Sequence, residues 1–321
     1  MVENLLSARE FAELHGISPS YVYYLLQEGR IAGATRVGSR WLIPADAEIL
    51  QAPASEYKPD LGKTRVITFF NYAGGVGKTT LTRDLGAELS SRGYRVLLID
   101  ADPQGNLTSW LGIEDVDPER TLYGLFRNGV LPEPIKAHGI DVIPAHLPMA
   151  RLEVEISQVP VGEQRLRRAL EEAEGKWDLV LIDSPPSLGR ISVMAALAGE
   201  GFVVPVEVSR KGLEGLILLL DLAEEYAKAV GVSLPRFIKL IVPTKYDPRT
   251  SIDNKVMAYL RDLPQKGFKV SSSLGARPGI HKRAAARSIP IPLLEPAGKA
   301  AKEIKAIANE LLNVLVEGNH G

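Results

Sequence analysis

Ala73-Gly-Gly-Val-Gly-Lys-Thr-Thr80 follows an apolar run at residues 66–70 and precedes an amphipathic stretch, so the order is strand, glycine-rich loop, helix. Glycines in such a loop let backbone N–H groups approach phosphate oxygens, because no Cβ stands in the way. Lys78 adds a cation for β- and γ-phosphates, and the Thr79 hydroxyl suits Mg²⁺. Tyr72 stands where the ordinary loop has glycine, so the stretch fits a variant with paired glycines. It predicts a polyphosphate-binding loop made of Gly74, Gly75, Val76, Gly77, Lys78, Thr79 and Thr80.

Strand-like and helix-like segments alternate from residue 65 onward. Strands are predicted at residues 66–71, 95–99, 140–144, 179–182, 202–206, 237–242 and 269–272, and helices at 79–92, 213–230, 252–263 and 297–316. Several of the strands are apolar throughout, which is typical of a parallel sheet covered on both faces. The pattern predicts an α/β fold with a doubly wound, mostly parallel sheet and a ligand site at the carboxyl ends of the strands.

Residues 1–50 have the pattern of a separate small unit. Ser7 can cap a helix over residues 8–15, a second helix is predicted over 20–28, and residues 36–43 read as a tight hairpin with Gly38 at its tip. This order is typical of a winged helix-turn-helix domain. Residues 51–63 contain two prolines and small polar residues, so they are predicted to be a linker to the main domain at 64–321.

Composition excludes several classes of site. The 321 residues include no cysteine, which excludes disulfides, thiolate metal sites, iron–sulfur clusters and a cysteine nucleophile. A net charge of −1 favours no particular partner. No apolar run is long enough to span a bilayer and no signal peptide is recognisable, so we expect a cytoplasmic protein without membrane contact. Apolar residues in the last predicted helix favour core packing over a membrane surface.

Three carboxylates follow predicted strands. Asp100 and Asp102 leave one strand end on a shared face, where one could order the waters of Mg²⁺ and the other could orient an attacking water. They could also be solvated carboxylates in a turn. Asp183 ends the strand at 179–182, as the acidic partner of nucleotide-bound Mg²⁺ does, or it caps the following helix.

Thr244-Lys-Tyr-Asp247 follows another predicted strand. An aspartate there could accept hydrogen bonds from the guanine N1–H and N2–H, and the same loop could equally lie beside adenine. Its spacing leaves the choice of base open.

Four motifs together give a specific resemblance. They are the loop at 73–80, Asp100-Ala-Asp-Pro-Gln-Gly-Asn106, Ile182-Asp-Ser-Pro-Pro-Ser-Leu-Gly189 and Tyr246-Asp-Pro-Arg-Thr250. In this order, over roughly residues 64–316, the chain resembles the ParA family of partition ATPases, which are P-loop NTPases. The resemblance implies ATP and Mg²⁺ as ligands, a nucleotide sandwich homodimer, nonspecific DNA binding and a ParB-like partner that stimulates slow hydrolysis.

The resemblance also implies roles for the loop residues. Lys78 would bind the phosphates and act in catalysis, Thr79 would bind Mg²⁺, and Thr80 would approach the α-phosphate. Ala73 departs from the family, which usually has a signature lysine there that reaches the partner's nucleotide. The trans-acting lysine, the family's hydrolysis rate and its dimer geometry are therefore not implied for this chain.

For the acidic residues, the resemblance implies that Asp102 orients the attacking water. Asp100 and Asp183 would organise the metal and its waters. The family also favours ATP over GTP at residues 244–247.

Residues 5–50 resemble excisionase/MerR-like DNA-binding domains. In that arrangement the second helix enters the major groove and the wing contacts phosphates. The implied DNA-contacting residues are Ser20, Tyr23, Tyr24 and Gln27 on the helix and Arg36 and Arg40 on the wing. A protein-interaction module is the alternative.

A second basic group lies near the end of the main domain, and the family's corresponding region contributes to nonspecific DNA binding. It consists of Arg277, Lys282, Arg283 and Arg287. A solvated basic face is the alternative.

The sequence thus favours a nucleoid-associated partition or cargo-positioning ATPase with an added DNA-binding head. The alternative is a transcriptional regulator switched by nucleotide with little turnover. A metabolic ATP-dependent ligase is a third hypothesis, and the predicted head argues against it.

Overall fold

The computed structural model describes residues 5–15, 19–27, 29–38, 40–49 and 58–317, with the side chains at positions 20, 21, 24 and 27 left out. The N-terminal unit, which we call the head, comprises residues 5–49. Its elements are β1 (Leu5–Leu6), α1 (Ala8–His15), α2 (Pro19–Gln27), β2 (Thr35–Val37) and β3 (Arg40–Pro44).

The head has the helix, helix, hairpin order that the sequence predicted. The Ser7 hydroxyl accepts from the Glu10 N–H (3.3 Å) and the Glu10 carboxylate accepts from the Ser7 N–H (2.7 Å), which confirms the predicted cap of α1. Strand β1 was not predicted; it pairs antiparallel with β3 and makes a three-stranded sheet in the order β1-β3-β2. A strand of two residues is too short to show the alternation of buried and exposed side chains by which strands are predicted from sequence.

The head packs on the main domain. Phe11 of α1 and Leu25 of α2 belong to the same buried apolar cluster as Leu81 and Leu311, and α2 contacts a short helix at Ile291–Leu294. Part of the predicted linker also packs against the main domain, because Tyr94 donates its hydroxyl to the Pro59 carbonyl (2.7 Å). The rest of the linker, 51–57, lies outside the described residues, so the predicted domain boundaries stay predictions.

The main domain alternates strands and helices. The strands are β4 (Arg65–Phe69), β5 (Val96–Asp100), β6 (Ile135–Ala137), β7 (Ile140–Ile143), β8 (Leu179–Asp183), β9 (Phe202–Glu207) and β10 (Ile238–Thr244). The helices are α3 (Lys78–Ser91), α4 (Asn106–Trp110), α5 (Leu122–Asn128), α6 (Leu152–Glu155), α7 (Arg165–Glu172), α8 (Arg190–Ala198), α9 (Arg210–Ala229), α10 (Leu234–Phe237), α11 (Ser251–Asp262), α12 (Pro278–Ala286), α13 (Ile291–Leu294) and α14 (Lys299–Glu317).

The seven strands form one sheet in the order β10-β9-β4-β8-β5-β7-β6. All neighbours are parallel except the antiparallel β6–β7 pair at one edge. Alternate residues of β5 face different cores: Leu98 packs in the cluster with α3 and α14, and Leu97 packs in the cluster with α5, α7 and α8. Both faces are therefore buried, which confirms the predicted doubly wound α/β fold.

The predicted strand at 269–272 is wrong. Val270 makes only an isolated parallel bridge to Ile241. The Ser271 N–H donates to the Ile241 carbonyl (2.9 Å), but the next bond of a parallel ladder would need an N–H at residue 243, which is proline. The ladder therefore stops after one bridge, and the Ser272 N–H donates to the Glu310 carboxylate of α14 (2.9 Å).

The last helix packs as the sequence predicted. Ile304, Ile307, Leu311 and Leu315 of α14 are fully buried in the core. Among the helices that the structure describes, none is both long and apolar enough to cross a bilayer.

Candidate nucleotide site

The glycine-rich loop joins β4 at the centre of the sheet to α3. Gly75 (φ 73°) and Gly77 (φ 103°) both have left-handed backbone, which favours glycine. Gly77 is the residue immediately before α3, so the free N–H groups of the first helical turn open onto the loop. The local conformation matches a phosphate cradle.

A cavity of about 240 Å³ lies at the mouth of this loop. It is lined by Gly75, Gly77, Lys78, Thr79, Thr80, Asp102, Asn106, Trp110 and Pro186. Five of the seven residues predicted to bind nucleotide thus line one space, together with the predicted catalytic carboxylate. Gly74 and Val76 belong to the same loop and line a neighbouring cavity.

Lys78 lies almost entirely inside the protein, at 6% exposure. Its ammonium donates to the carbonyls of Asn71 (2.7 Å) and Ala73 (3.1 Å), so it is held under the loop. Burial lowers the pKa of Lys78, and the charges of Asp183 and Asp102 oppose this shift. These contacts keep one cation beside the phosphate cradle.

Asp183 is an unsatisfied buried carboxylate. It ends β8, in register with Phe69 of β4 on one side and Asp100 of β5 on the other. The side chain is fully buried, and neither oxygen makes a well-formed hydrogen bond among the described residues, although the Thr79 hydroxyl lies close enough to act against the rise of its pKa. Burial raises the pKa of Asp183 well above its ordinary value, and the neighbouring Asp100 raises it further. A bound cation would stabilise the ionised form of this carboxylate, because a buried charge without a partner has a high free-energy cost.

The Asp100 carboxylate, unlike that of Asp183, accepts several hydrogen bonds. Its carboxylate accepts from the Thr108 N–H (2.9 Å), the Thr108 hydroxyl (2.7 Å) and the Asp102 N–H (3.1 Å). Burial raises the pKa of Asp100 to about 7 although the Thr108 hydrogen bonds oppose the shift. The side chain therefore organises the loop that carries Asp102, and it does not line the cavity. Its predicted role at the metal stays a prediction.

Asp102 lines the cavity with one carboxylate oxygen engaged. Its Oδ1 accepts from the Gln104 N–H (3.0 Å), which fixes the side chain at the start of the turn before α4. This position suits a group that orients a water, as the sequence predicted.

The loop after β10 is tied to the phosphate loop. The Thr244 hydroxyl donates to the Val76 carbonyl (2.8 Å). Asp247, which could have contacted guanine, instead accepts from the Arg249 guanidinium at 2.9 and 2.7 Å. These hydrogen bonds lower the pKa of Asp247 to about 2. The carboxylate that guanine would need is therefore already paired.

Two site features were missed by sequence reasoning. Thr108 links Asp100 to the segment that follows β7, because its hydroxyl also accepts from the Ala145 N–H (2.8 Å). Lys245 has left-handed backbone (φ 57°) and lies beside the phosphate loop. Thr108 gave no signal in the sequence, whereas Lys245 was visible only as part of a guanine-like motif.

The described DNA-contact candidates of the head are exposed. Tyr23 is 50% exposed on α2, while the side chains of Ser20, Tyr24 and Gln27 lie outside the described part. Arg36 pairs with Trp41 across the hairpin, and Val37 pairs with Arg40. Paired residues share a face, so Arg36 and Arg40 project from opposite faces of the wing. A phosphate-contacting surface on one face of the wing therefore includes only one of these two arginines.

The second basic group divides into paired and open residues. Arg277 forms a two-contact ion pair with Glu303 of α14, and Arg283 pairs with Glu295 (3.1 Å). Lys282 and Arg287 are exposed, and neither forms an ion pair within the described ranges. Of the four basic residues in this group, Lys282 and Arg287 are therefore the two without an ion pair among the described residues.

Comparisons with known proteins give the same two parts. A family model described as an AAA domain matches residues 64–234, and a helix-turn-helix domain model matches residues 5–47. The probable plasmid-partitioning protein ParA of Thermus thermophilus is 42% identical over 319 residues, which cover 97% of this chain and 94% of that protein. The sporulation initiation inhibitor protein Soj of Bacillus subtilis is 36% identical over 255 residues, covering 77% of this chain and 98% of that protein.

The fold also occurs in a solved nucleotide complex. The structure of an ATP complex of Cyanothece McdA matches with a TM-score of 0.67 at 24% identity, covering 78% of this chain and 96% of that one. At this identity the match concerns the fold alone.

Proposed function

Because this chain belongs to the ParA family of partition ATPases, we propose that it segregates a plasmid or chromosome, or positions another cargo, as an ATP-bound homodimer on DNA. The nucleoid in the cytoplasm is its expected location, and a ParB-like protein is the expected stimulating partner. The relative from Thermus thermophilus, whose name is a partition name, spans 97% of this chain, which supports this function.

The observation that carries the proposal is the buried Asp183 without a well-formed hydrogen bond among the described residues, next to a cradle that already contains Lys78. Thr79 and Asp183 would hold Mg²⁺, which when bound offsets negative charge on phosphate oxygens. The donor set fits, because a hydroxyl and a carboxylate are oxygen ligands of the kind Mg²⁺ prefers.

The other residues of the site would bind the phosphates and orient the attacking water. The loop N–H groups and Lys78 would bind the phosphates, and Asp102, which lines the same cavity, would orient the attacking water. Position 73 supplies no charge because it is alanine. We therefore expect slow hydrolysis.

We expect ATP to bind at least about tenfold more tightly than GTP. Guanine discrimination needs a free carboxylate, and both oxygens of Asp247 accept from the Arg249 guanidinium. Competition of unlabelled ATP and GTP against a fluorescent ADP analogue measures the ratio. Equal or tighter GTP binding would contradict the adenine assignment.

Two surfaces are proposed to contact DNA. Lys282 and Arg287 on and after α12 would give nonspecific, ATP-dependent binding, Tyr23 on α2 would add sequence preference, and the wing would add phosphate contacts. The head shares an apolar core with α3 and α14, so removing it would expose that core. Surface substitutions therefore test the two roles better than a deletion.

We expect Lys282→Glu with Arg287→Glu to weaken ATP-dependent binding to arbitrary duplex and to reduce its salt slope by about 1 for each lysine or arginine that no longer neutralises a phosphate. Tyr23→Ala should instead reduce the preference for a selected site. Lys176→Glu is the matched control, because Lys176 is exposed at the opposite, amino-terminal edge of the sheet. Fluorescence anisotropy over a salt series measures all three. An equal loss with the control would refute a localised surface.

The alternative function is a nucleotide-switched regulator. Two consecutive contacts favour this alternative. Helix α2 of the head contacts α13. The Ile291 N–H of α13 in turn donates to the buried Asp84 carboxylate of α3 (3.0 Å). The helix that begins at the phosphate loop is thus in contact with the head through one short helix. Loss of all DNA binding in the head variant would favour this alternative over partition.

A further inference from the structure

Lys245 is a cation at the wall of the phosphate loop that the loop motif does not account for. Its Nζ lies 4.0 Å from the point where a Cβ on Gly75 would stand. Gly75 is the second of the paired glycines and lines the cavity at the loop mouth. The ammonium thus lies close to the second of the paired glycines.

The backbone holds Lys245 in place on both sides. Its φ of 57° is left-handed, a conformation that residues other than glycine rarely adopt. On one side, the Thr244 carbonyl accepts from the Val208 N–H (2.9 Å), and the Thr244 hydroxyl donates to the phosphate loop. On the other side, the Tyr246 N–H donates to the Leu274 carbonyl (3.2 Å). These bonds fix the direction in which the side chain leaves the backbone.

Among the described residues, the ammonium forms an ion pair with one carboxylate. Lys245 Nζ lies 2.7 Å from Glu207, the last residue of β9 and the register partner of Thr244. Both side chains are partly exposed, at 51% and 36%. An ion pair in this setting is weak enough to be exchanged for a more highly charged partner.

Glu207 also borders the space next to position 73. A cavity of about 460 Å³ beside the loop is lined by Ala73, Gly74 and Glu207 among other residues. Ala73 and Glu207 line this same cavity and Lys245 lies beside Gly75, so the uncharged position 73 and the Lys245–Glu207 pair both adjoin the paired glycines. Inside the loop, Lys78 already faces the negative charges of Asp183 and Asp102. The site thus has one buried cation against two carboxylates before any phosphate enters.

We propose that Lys245 is a phosphate-contacting residue of this site, which supplies from the loop after β10 the second positive charge that Ala73 does not supply. When a nucleoside triphosphate binds, the ammonium exchanges the Glu207 carboxylate for phosphate oxygens of the same subunit's nucleotide. The inference rests on the proposed nucleotide function and adds a residue to that site.

The test compares ATP and ADP affinities of full-length variants with fluorescent nucleotide analogues. Lys245→Met keeps the length of the side chain without its charge, and we expect it to weaken ATP binding by about tenfold and ADP binding by less. Lys245→Gly should show the same loss, because glycine adopts the left-handed backbone freely and only the charge is missing. Glu207→Gln should tighten ATP binding, since the amide no longer competes for the ammonium.

Two further variants complete the comparison. Lys211→Met is the matched control, because Lys211 lines the Ala73 cavity but has no described contact with the loop. Adding Ala73→Lys to Lys245→Met should restore ATP affinity in the dimer, where a lysine at position 73 would reach the nucleotide of the partner subunit. Thermal melting without nucleotide checks that each variant is folded.

The outcomes separate this inference from the proposed function. Wild-type ATP affinity in Lys245→Met, or an equal loss in Lys211→Met, would overturn the role of Lys245 while nucleotide binding by the loop stands. Failure of the unmodified protein to bind ATP would instead overturn the proposed function itself.

Discussion

Lys78→Ala should reduce ATP affinity by about 100-fold or more, which corresponds to about 2.7 kcal/mol. Lys78 is the buried cation of the phosphate cradle, with 6% exposure and two loop carbonyls as partners. Without it, the β- and γ-phosphates would face Asp183 and Asp102 with no buried compensating charge. Removing one partner from a buried charged pair typically costs several kcal/mol. Isothermal titration with ATP and Mg²⁺ measures the loss.

The Lys78 result needs a control for loop structure, because the ammonium also ties Asn71 to Ala73. Thr80→Ser keeps the hydroxyl next to the loop and should leave ATP affinity within about threefold of the wild type. Melting temperatures without nucleotide should show that Lys78→Ala remains folded, since the substitution removes a buried charge along with its two hydrogen bonds. Retention of ATP affinity within about threefold would contradict the assignment of this loop.

The residues of the phosphate loop could be predicted from sequence because their signal is local. Left-handed backbone at Gly75 and Gly77 requires glycine, and the helix N-terminus follows directly. Parallel strands are also recognisable, since burial on both faces makes them apolar throughout. The carboxyl ends of such strands meet at one edge, which is why the sequence alone could place Asp102 and Asp183 near the loop.

The remaining features depend on contacts that cross the fold. The guanine-like motif could not be interpreted from spacing, because the decision rests on Arg249 turning back onto Asp247. Asp100 was grouped with Asp102 by strand alternation, yet Thr108, eight residues on, draws its carboxylate away from the cavity. Lys245 and Gly75 are 170 positions apart in the sequence, so their proximity in the fold produces no recognisable sequence pattern.

The two carboxylates at the end of β5 have different expected contributions, although they stand two residues apart. Asp100 accepts three hydrogen bonds that shape the turn before α4. Asp100→Ala should therefore lower both stability and ATP affinity, because the Thr108 and Asp102 donors lose their acceptor. Asp102 accepts one bond from Gln104 and faces the cavity. Its removal leaves the turn largely intact.

Asp102→Ala should abolish measurable hydrolysis, a loss of roughly 100-fold or more, while ATP affinity stays within about threefold. The side chain orients the attacking water in the proposed mechanism, and the phosphates are bound by the loop and Lys78, so binding and turnover depend on different groups. Single-turnover hydrolysis and nucleotide titration on the same sample separate the two. Because ATP then persists, the variant should also stay longer on nonspecific duplex, which the dissociation rate from immobilised DNA measures. Hydrolysis at the wild-type rate would assign the water-orienting role to another residue, and a parallel loss of ATP affinity would place Asp102 with the binding groups instead.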